Sequence, residues 1–349
     1  MKNEVKLYNF SGELDWKMVN LISEIDRFDA SWSIIKRREG ANLGQLRTMA
    51  TIQSVGASTR IEGSKMSDLD VKRFLKELDI SKLEDRDKQE VAGYYSVLET
   101  IIDNYDSIQF IKRDIQGLHK MLLQYSSKDT WHRGNYKTHS NAVEAQLPDG
   151  SRYIIFRTTP PGHQTEDSMN AIIDWYNTDN DIHPLVNTAI FVYEFLTIHP
   201  FQDGNGRMSR LLTTLSLLQK GYDWVQYASF EHEIESSKKK YYQVLRSCQA
   251  QRPDEDITEW INYFLRSLLN VKKKIQAKIE QTNINLKMSP REKTVYTFIA
   301  NNAGCKSSEI ARSLGITGPT IKRILTSLHE RSVINKHDQG PATNYTIKV

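Results

Sequence analysis

The chain has few cysteines and no long apolar run, and both absences narrow its class. Only two of its 349 residues are cysteine, Cys248 and Cys305, and they lie far apart without the spacing of metal ligands. This argues against a zinc cluster and suits a reducing compartment. No stretch of about twenty apolar residues occurs, and the first residues lead into no apolar segment of a secretory signal. We therefore expect a cytoplasmic protein without a membrane span.

Two common nucleotide and metal motifs are also missing. No Gly-x-x-x-x-Gly-Lys-[Ser/Thr] run is present, which argues against a P-loop. Residues 203–207, Asp-Gly-Asn-Gly-Arg, break the alternating acidic pattern of a calcium-binding hand. The sequence has no internal repeat and no low-complexity tract. A chain of 349 residues is too long for one compact core and suggests two or three units.

Residues 199–210, His-Pro-Phe-Gln-Asp-Gly-Asn-Gly-Arg-Met-Ser-Arg, combine groups that handle a polyphosphate. Apolar residues recur at helical spacing from Met208 onward, which predicts that the run passes from a loop into the first turn of a buried helix. A helix N-terminus favours an anion, and glycines let the backbone approach it closely. Gly204 and Gly206 are therefore candidates for a phosphate cradle.

The charged side chains of this run have distinct candidate roles. Arg207 and Arg210 are three residues apart on the new helix and are spaced to clamp one anion, because guanidinium groups match phosphate oxygens. Asp203 is a hard oxygen ligand for magnesium (Mg2+) that phosphates and water otherwise coordinate. His199 is the only base of the run that titrates near neutral pH, and it is placed to take a proton from an attacking hydroxyl.

The run matches the motif His-x-Phe-x-[Asp/Glu]-Gly-Asn-Gly-Arg-x-x-Arg at every defined position and so resembles the Fic family. The resemblance implies a mostly helical core and transfer of AMP from ATP to a Ser, Thr or Tyr hydroxyl of another protein, with release of pyrophosphate. The phosphate-transferring Doc branch of this family lacks the second glycine. Because this chain keeps Gly206, the resemblance favours nucleotidyl transfer.

The same resemblance implies a role for each matched residue. They are His199 as general base, Phe201 as a core plug, Asp203 on magnesium, Gly204, Asn205 and Gly206 in the phosphate cradle, Arg207 on the β-phosphate and Arg210 on the γ-phosphate.

A second signal lies upstream, at residues 58–63, Ser-Thr-Arg-Ile-Glu-Gly. It resembles the inhibitory [Ser/Thr]-x-x-x-Glu-[Gly/Asn] motif of many Fic proteins, although an ordinary helix end with Gly63 as its cap gives the same pattern. A Glu62 carboxylate paired with Arg210 would occupy the site meant for the γ-phosphate and restrain the enzyme. In some relatives of this kind the same site also removes AMP, so the net direction of transfer stays open.

Two further features are interpreted through the same resemblance. The strand-like runs 143–147 and 151–156 flank Pro148, Asp149 and Gly150, which predicts a β-hairpin. Such a hairpin is similar to the family's flap, which pairs with the target backbone, but a hairpin that only covers the core is equally compatible. Tyr241 and Tyr242 open a helical run, where stacking on adenine and plain core packing are both open.

The fold class that we expect is mainly α: a helical Fic core with a β-hairpin flap, plus a C-terminal winged helix-turn-helix. The divisions are an N-terminal helical region with the inhibitory motif (1–105), a Fic catalytic core (106–285) and the winged helix-turn-helix domain (286–349). Helical periodicity marks residues 16–41, 71–78, 89–104, 112–124, 169–177, 184–198 and 255–287.

The C-terminal part differs from the rest in charge. Residues 286–349 hold ten basic and four acidic residues, a net charge of +6, so the preceding part of this +4 chain is at −2. Helical runs at 290–301, 307–314 and 318–331 precede two short extended segments, the order of a winged helix-turn-helix. Thr317, Thr320, Lys322 and Arg323 lie on or beside the candidate recognition helix. DNA is one expected partner, and docking or dimerisation is the other use of such modules.

Two classes of function are compatible with these observations. The first is a protein adenylyltransferase that uses ATP with magnesium, acts on an unidentified target protein and is inhibited by Glu62. The second is a DNA-binding transcriptional regulator with a nucleotide-sensing Fic core. Because a sensor has no need of His199, its presence favours the enzyme. The oligomeric state, including a homodimer, is left open.

Overall fold

The structure is a computed structural model. It describes residues 4–13, 15–78, 83, 85–146, 152–178, 181–286, 288–331, 333–338, 340 and 343–347. Helices dominate it, which confirms the expected mainly α class. Within the described residues, the search for a helix of membrane-spanning length and apolarity finds none.

The α-helices of the described residues, in chain order, are α1 (Trp16–Ile61), α2 (Asp68–Lys76), α3 (Arg86–Asn104), α4 (Lys112–Leu122), α5 (His163–Thr178), α6 (Pro184–Ile198), α7 (Asn205–Gln219), α8 (Phe230–Ser236), α9 (Lys238–Gln249), α10 (Thr258–Leu286), α11 (Pro290–Asn301), α12 (Ser307–Leu314) and α13 (Gly318–Glu330). A short 3-10 helix lies at Asp223–Tyr227.

The strands that the structure describes form three antiparallel pairs. They are β1 (Glu4–Leu7) with β2 (Phe10–Glu13), β3 (Ala142–Gln146) with β4 (Arg152–Arg157), and β5 (Ile334–His337) with β6 (Asn344–Ile347). The β3–β4 pair confirms the predicted hairpin strands to within one residue. The predicted turn at Pro148, Asp149 and Gly150 lies outside the described residues.

Helix α1 is much longer than its periodic stretch predicted, since it continues past residue 41 to Ile61. The Asp15 side chain caps its start by accepting a hydrogen bond from the Met18 N–H at 2.8 Å. Glycines lower helix propensity, but packing against α3, α8 and the 3-10 helix overrides that cost. Gly56 also has a packing reason, because a Cβ there would lie 2.7 Å from Asp68 Oδ1 at the start of α2.

The chain divides into two compact units, Met1–Ile275 and Gln276–Val349. The finer division of the sequence at 1–105, 106–285 and 286–349 stays a prediction. At the centre of the first unit, residues 185–198 of α6 are all buried, as expected of a helix that is apolar on every side. The end of α6 and the start of α7 enclose the loop that contains the motif.

The second unit has its own apolar core. Its members lie in α11 to α13, in the strands and in the segments next to them: Met288, Val295, Ile299, Cys305, Ile310, Ile321, Ile324, Leu325, Leu328, Val333, Ile334 and Tyr345. Gly315 ends α12 in the left-handed region, with φ 65°, a conformation that glycine adopts without strain. The predicted order of three helices and two strands is observed, while membership of the winged helix class stays a prediction.

Candidate active site

The motif forms a tight loop between α6 and α7. His199 caps α6 in the left-handed region (φ 54°, ψ 59°) and Gly204 precedes α7 with φ 81°. The Asn205 side chain accepts a hydrogen bond from the Phe201 N–H at 2.9 Å and donates one to the Phe201 carbonyl at 2.7 Å. Asn205 therefore fixes the loop with both ends of its amide, and only its backbone remains for the phosphate cradle.

Phe201 and His119 pack against each other on the buried side of the loop. Phe201 is fully buried, and its ring stacks on the His119 ring with centroids 3.7 Å apart. His119 Nδ1 accepts a hydrogen bond from the Gly134 N–H at 2.9 Å, so Nε2 carries the proton and donates to the Asp203 carbonyl at 3.0 Å. Burial lowers the pKa of His119 to about 4. No motif indicated this role in advance, because His119 lies inside an ordinary amphipathic helix.

His199 is arranged as a base. Its Nδ1 lies 3.2 Å from the Leu196 carbonyl. Because a carbonyl can only accept, Nδ1 carries the ring proton and Nε2 keeps its lone pair. Burial lowers the pKa of His199 to about 4, and the nearby Lys137 charge also lowers it. The imidazole is therefore neutral at physiological pH and able to accept a proton.

Glu62 and Arg210 meet directly, as the resemblance implied. Arg210 Nη2 donates to Glu62 Oε1 at 2.8 Å. The same guanidinium donates through Nε to Ser58 Oγ at 2.8 Å and through Nη2 to the Ser58 carbonyl at 3.1 Å. Burial raises the pKa of Glu62, but the attraction of Arg210 outweighs it and the net shift is downward. Glu62 is therefore ionised at neutral pH.

The Glu62 carboxylate lies against the start of α7. A Cβ added to Gly206 would lie 2.4 Å from Glu62 Oε1 and 3.3 Å from Arg210 Nη1. The carboxylate thus occupies space that glycine leaves open, beside the positive end of the helix. This is the place where the sequence predicted a phosphate.

Contacts around Glu62 anchor the end of α1. Arg60 donates to both carboxylate oxygens of Glu235, at 2.6 and 3.0 Å, and pairs with Asp68 at 2.8 Å. Lys238 donates to the Ile61 carbonyl at 2.7 Å. Because the two residues before Glu62 are tied to α2, α8 and α9, the carboxylate is presented in a fixed position.

Arg207 lies in a different place from Arg210. It is 2% exposed, with Nη1 3.7 Å from Glu90 Oε2 and Nη2 3.5 Å from Asp203 Oδ1. Among the described residues, its buried Nε and Nη1 find no hydrogen-bond partner. Its expected role on the β-phosphate stays a prediction.

Asp203 is suited to supply one of several ligands to a magnesium ion. Its Oδ1 accepts a hydrogen bond from the Gly204 N–H at 2.6 Å, and Oδ2 lies 3.6 Å from Lys128 Nζ. Burial raises the pKa of Asp203, but Arg207, the Gly204 N–H and Lys128 together lower it by more. The net shift is downward, so the carboxylate is ionised. The described residues contain no group of three or more His, Cys, Asp or Glu side chains that would hold a metal by themselves. Asp203 therefore fits a magnesium ion that nucleotide phosphates and water also coordinate.

A cavity of about 410 Å³ joins these groups. Its lining is Glu62, Leu196, His199, Gln202, Asp203, Gly204, Asn205, Gly206, Arg210, Lys238, Tyr241, Tyr242, Leu245, Arg246 and Gln249. Every predicted site residue except Arg207 and the buried Phe201 is among them. Tyr241 is 3% exposed and packs on Trp260 at 5.6 Å between ring centroids, so it is a core residue that also lines the cavity. Its stacking on adenine stays a prediction.

A larger cleft of about 630 Å³ lies elsewhere, along α1 and the start of α6. Its walls include Val19, Ile22 and Val186 and are mainly apolar. Because it contains neither the base nor the phosphate cradle, the smaller cavity is the candidate active site.

Comparison with known proteins agrees with this geometry. Residues 109–217 match the Fic/DOC family model, which confirms the expected Fic domain. The chain is 26% identical over 231 residues to the protein adenylyltransferase Fic of Drosophila willistoni, covering 64% of this chain and 42% of that protein. It is 28% identical over 221 residues to the protein of the same name from Nematostella vectensis, covering 60% and 46%. The chain therefore spans less than half the length of these relatives.

Solved structures share the fold. A Fic family protein from Desulfovibrio desulfuricans G20 superposes with a TM-score of 0.63 at 23% identity, covering 96% of this chain and 97% of that one. A Fic domain containing signaling protein from Bacteroides thetaiotaomicron gives a TM-score of 0.56 at 23% identity, covering 72% and 97%. At this identity the likeness establishes the fold alone.

Proposed function

We propose, from the Fic domain that this chain contains at residues 109–217, that the protein is an adenylyltransferase: it transfers AMP from ATP to a Ser, Thr or Tyr hydroxyl of another protein. The observation that carries the proposal is one cavity that contains a neutral His199, a glycine-lined helix start and the Arg210 guanidinium. The names of the similar proteins from Drosophila willistoni and Nematostella vectensis support it.

The proposed chemistry is a single displacement at the α-phosphorus. The target hydroxyl oxygen forms a bond to phosphorus, the bond to the bridging oxygen breaks, and pyrophosphate leaves. The hydroxyl proton passes to His199 Nε2, which has a free lone pair because Nδ1 donates to Leu196. The N–H groups at the start of α7 and Arg210 orient the phosphates. Asp203 would hold a magnesium ion, whose charge offsets that of the triphosphate.

The ion pair of Glu62 with Arg210 is the proposed restraint on this reaction. Arg210 is 2% exposed, and its Nε and both N–H groups of its Nη2 are already bonded to Ser58 and Glu62. A γ-phosphate has to displace the carboxylate or take another position, and a misplaced tail loses the in-line geometry. Removal of AMP by the same site, with Glu62 placing a water, is the reverse activity that the resemblance leaves open.

Substitution of Glu62 tests both the activity and the restraint. Glu62→Gly should raise transfer of labelled AMP to the protein itself or to a target by roughly 10- to 100-fold, and adding His199→Ala should abolish it. Glu77→Gly is a matched control, because Glu77 is an exposed glutamate that caps α2 as Glu62 caps α1. Absence of transfer in Glu62→Gly with ATP and magnesium would contradict the proposal.

A second candidate function, DNA binding, is favoured by one observation in the second unit. Lys322 and Arg323 are exposed on α13, whose other face packs Ile321, Ile324 and Leu325 into the core. Among the described residues neither cation has an ion-pair partner, so both are available to phosphates.

An electrophoretic mobility assay tests this second function. Lys322→Ala with Arg323→Ala should remove salt-dependent binding of duplex DNA, whereas Arg291→Ala with Lys293→Ala, which removes two exposed charges from α11, should retain most of it. Equal binding by both double variants would exclude α13 as the contact surface.

A further inference from the structure

A buried lysine lies beside the candidate active site and has no part in the chemistry described so far. Lys137 is 2% exposed. Its ammonium donates three hydrogen bonds of 2.9 Å each, to Asn141 Oδ1, to Thr158 Oγ1 and to the Ile198 carbonyl. An ammonium group has three N–H donors, so every donor is used. Burial lowers the pKa of Lys137 to about 8, which still leaves it mostly charged at neutral pH.

The three acceptors belong to two different parts of the fold. Asn141 directly precedes β3 and Thr158 directly follows β4, so together they form the base of the hairpin. Ile198 is the last residue of α6 and directly precedes His199. One side chain therefore ties the base of the hairpin to the backbone of the candidate catalytic base.

Further bonds hold the other side of His199. The Lys137 backbone N–H donates to the Pro200 carbonyl at 2.8 Å. The Asn141 amide donates to the Phe201 carbonyl at 2.9 Å. The backbone is thus fixed before and after His199 by residues at the hairpin base.

His199 depends on such support because of its backbone conformation. With φ 54° it occupies the left-handed region, which residues other than glycine adopt only when their surroundings impose it. That conformation directs the imidazole toward the bond with Leu196 and leaves Nε2 as the base.

We infer that Lys137 is a positioning residue, which places His199 for proton transfer and makes that placement depend on how the base of the β3–β4 hairpin is seated. The inference rests on the proposed function. The charged groups that face His199 are Lys137, Glu62 and Asp203. Lys137 differs from the two carboxylates because it is bonded to the backbone next to His199, and its positive charge opposes protonation of the imidazole.

The test uses the full chain with Glu62→Gly as background. Lys137→Met keeps an unbranched side chain but removes the donors and the charge, and it should lower kcat at least tenfold while the Kd for ATP changes less than about twofold. The lower pKa of the rate profile should move upward, since a positive charge near His199 has been removed. Lys272→Met, the loss of another buried lysine, which pairs with Glu24 at 3.1 Å, should leave kcat and the rate profile unchanged.

A second variant covers the case in which Lys137→Met does not fold. Thr158→Val is nearly isosteric and removes one acceptor of Lys137 at the hairpin base, so it should also lower kcat with little change in ATP affinity. Unchanged kcat and an unchanged rate profile in the folded variants would overturn the inference, even if their thermal stability fell.

The failure of the proposed function has a different signature. If the Glu62→Gly protein transfers no AMP, the His199 pKa can still be followed by NMR with nitrogen-15 labelled histidine. An upward shift in Lys137→Met, absent in Lys272→Met, would then support the placement by Lys137 while the transfer activity is rejected. No shift would reject both.

Discussion

The start of α7 has two sides that are held by different kinds of contact. On the cavity side, which comprises Glu62, Gly206 and Arg210, an ion pair of 2.8 Å lies against a glycine surface. On the support side, which comprises His119, Phe201 and Asn205, ring stacking and neutral hydrogen bonds predominate. A phosphate can replace a carboxylate at an arginine, but nothing in a substrate replaces the support side.

This difference separates the part of the site that changes from the part that stays fixed. The contact that restrains activity is electrostatic and lies where a competing anion binds. The contacts that place His199 and Asp203 are buried, directional and independent of any ligand. Substitutions on the two sides should therefore differ in their effects. A substitution on the cavity side should change activity with little loss of stability, whereas a substitution on the support side should lower both activity and stability.

Asn205→Ala should have the largest effect on stability. It removes two hydrogen bonds and leaves the Phe201 N–H unpaired in the interior, while the Phe201 carbonyl keeps only its bond from the Asn141 amide. The expected loss in the free energy of unfolding is about 2–4 kcal/mol, together with loss of AMP transfer in the Glu62→Gly background. Urea denaturation measures the first and labelled AMP the second.

Asn187→Ala is the matched control for this change. Asn187 is 1% exposed, and neither end of its amide has a hydrogen-bond partner among the described residues. Its removal should cost less stability than that of Asn205. Equal losses in the two variants would mean that burial, rather than the bonds to Phe201, determines the stability of the loop.

Gly206→Ala should have a smaller effect than Asn205→Ala. It tests whether the Glu62 carboxylate and a nucleotide phosphate bind at the same position. The added methyl group would clash with Glu62 Oε1 at 2.4 Å, so the ion pair with Arg210 should weaken. It would equally block a phosphate, so ATP affinity measured by calorimetry should fall about tenfold in the presence and in the absence of Glu62. If Gly206→Ala activates transfer as Glu62→Gly does, the two anions occupy different places.

Much of the fold follows from patterns that are local in sequence. The bounds of α6 were predicted correctly because Pro184 opens a run that is apolar on every side. The extension of α1 past residue 41 was missed because helix propensity penalises its glycines, whereas packing against three other elements stabilises them.

The site shows the same limit. The motif residues were found because they are contiguous, and Glu62 because its own short motif is intact. His119 and Lys137 were missed, since their bonds to Asp203 and Ile198 span 84 and 61 residues.

The two arginines of the motif were predicted to bind one anion because they are three residues apart on α7. Three residues fall roughly 60° short of a full helical turn, so Arg207 and Arg210 point in different directions. This rotation is enough to separate their contacts into those with Glu90 and Asp203 and those with Glu62 and Ser58.

Acid should weaken the support side before it affects the carboxylate of the cavity side. Burial lowers the pKa of His119 and of His199 from 6.5 to about 4. Between these values the unfolded chain binds the protons and the folded chain does not, so the free energy of unfolding falls as pH decreases through that window. At pH 5 each histidine should contribute a loss on the order of 2 kcal/mol relative to pH 7.5. The Glu62 carboxylate, whose pKa is lowered from 4.5, loses its contribution to the free energy of unfolding only below that value.

Urea denaturation at both pH values should show a smaller decrease in the free energy of unfolding for His119→Gln than for the unsubstituted chain. An equal decrease would mean that the buried imidazole of the support side takes up its proton in the folded state.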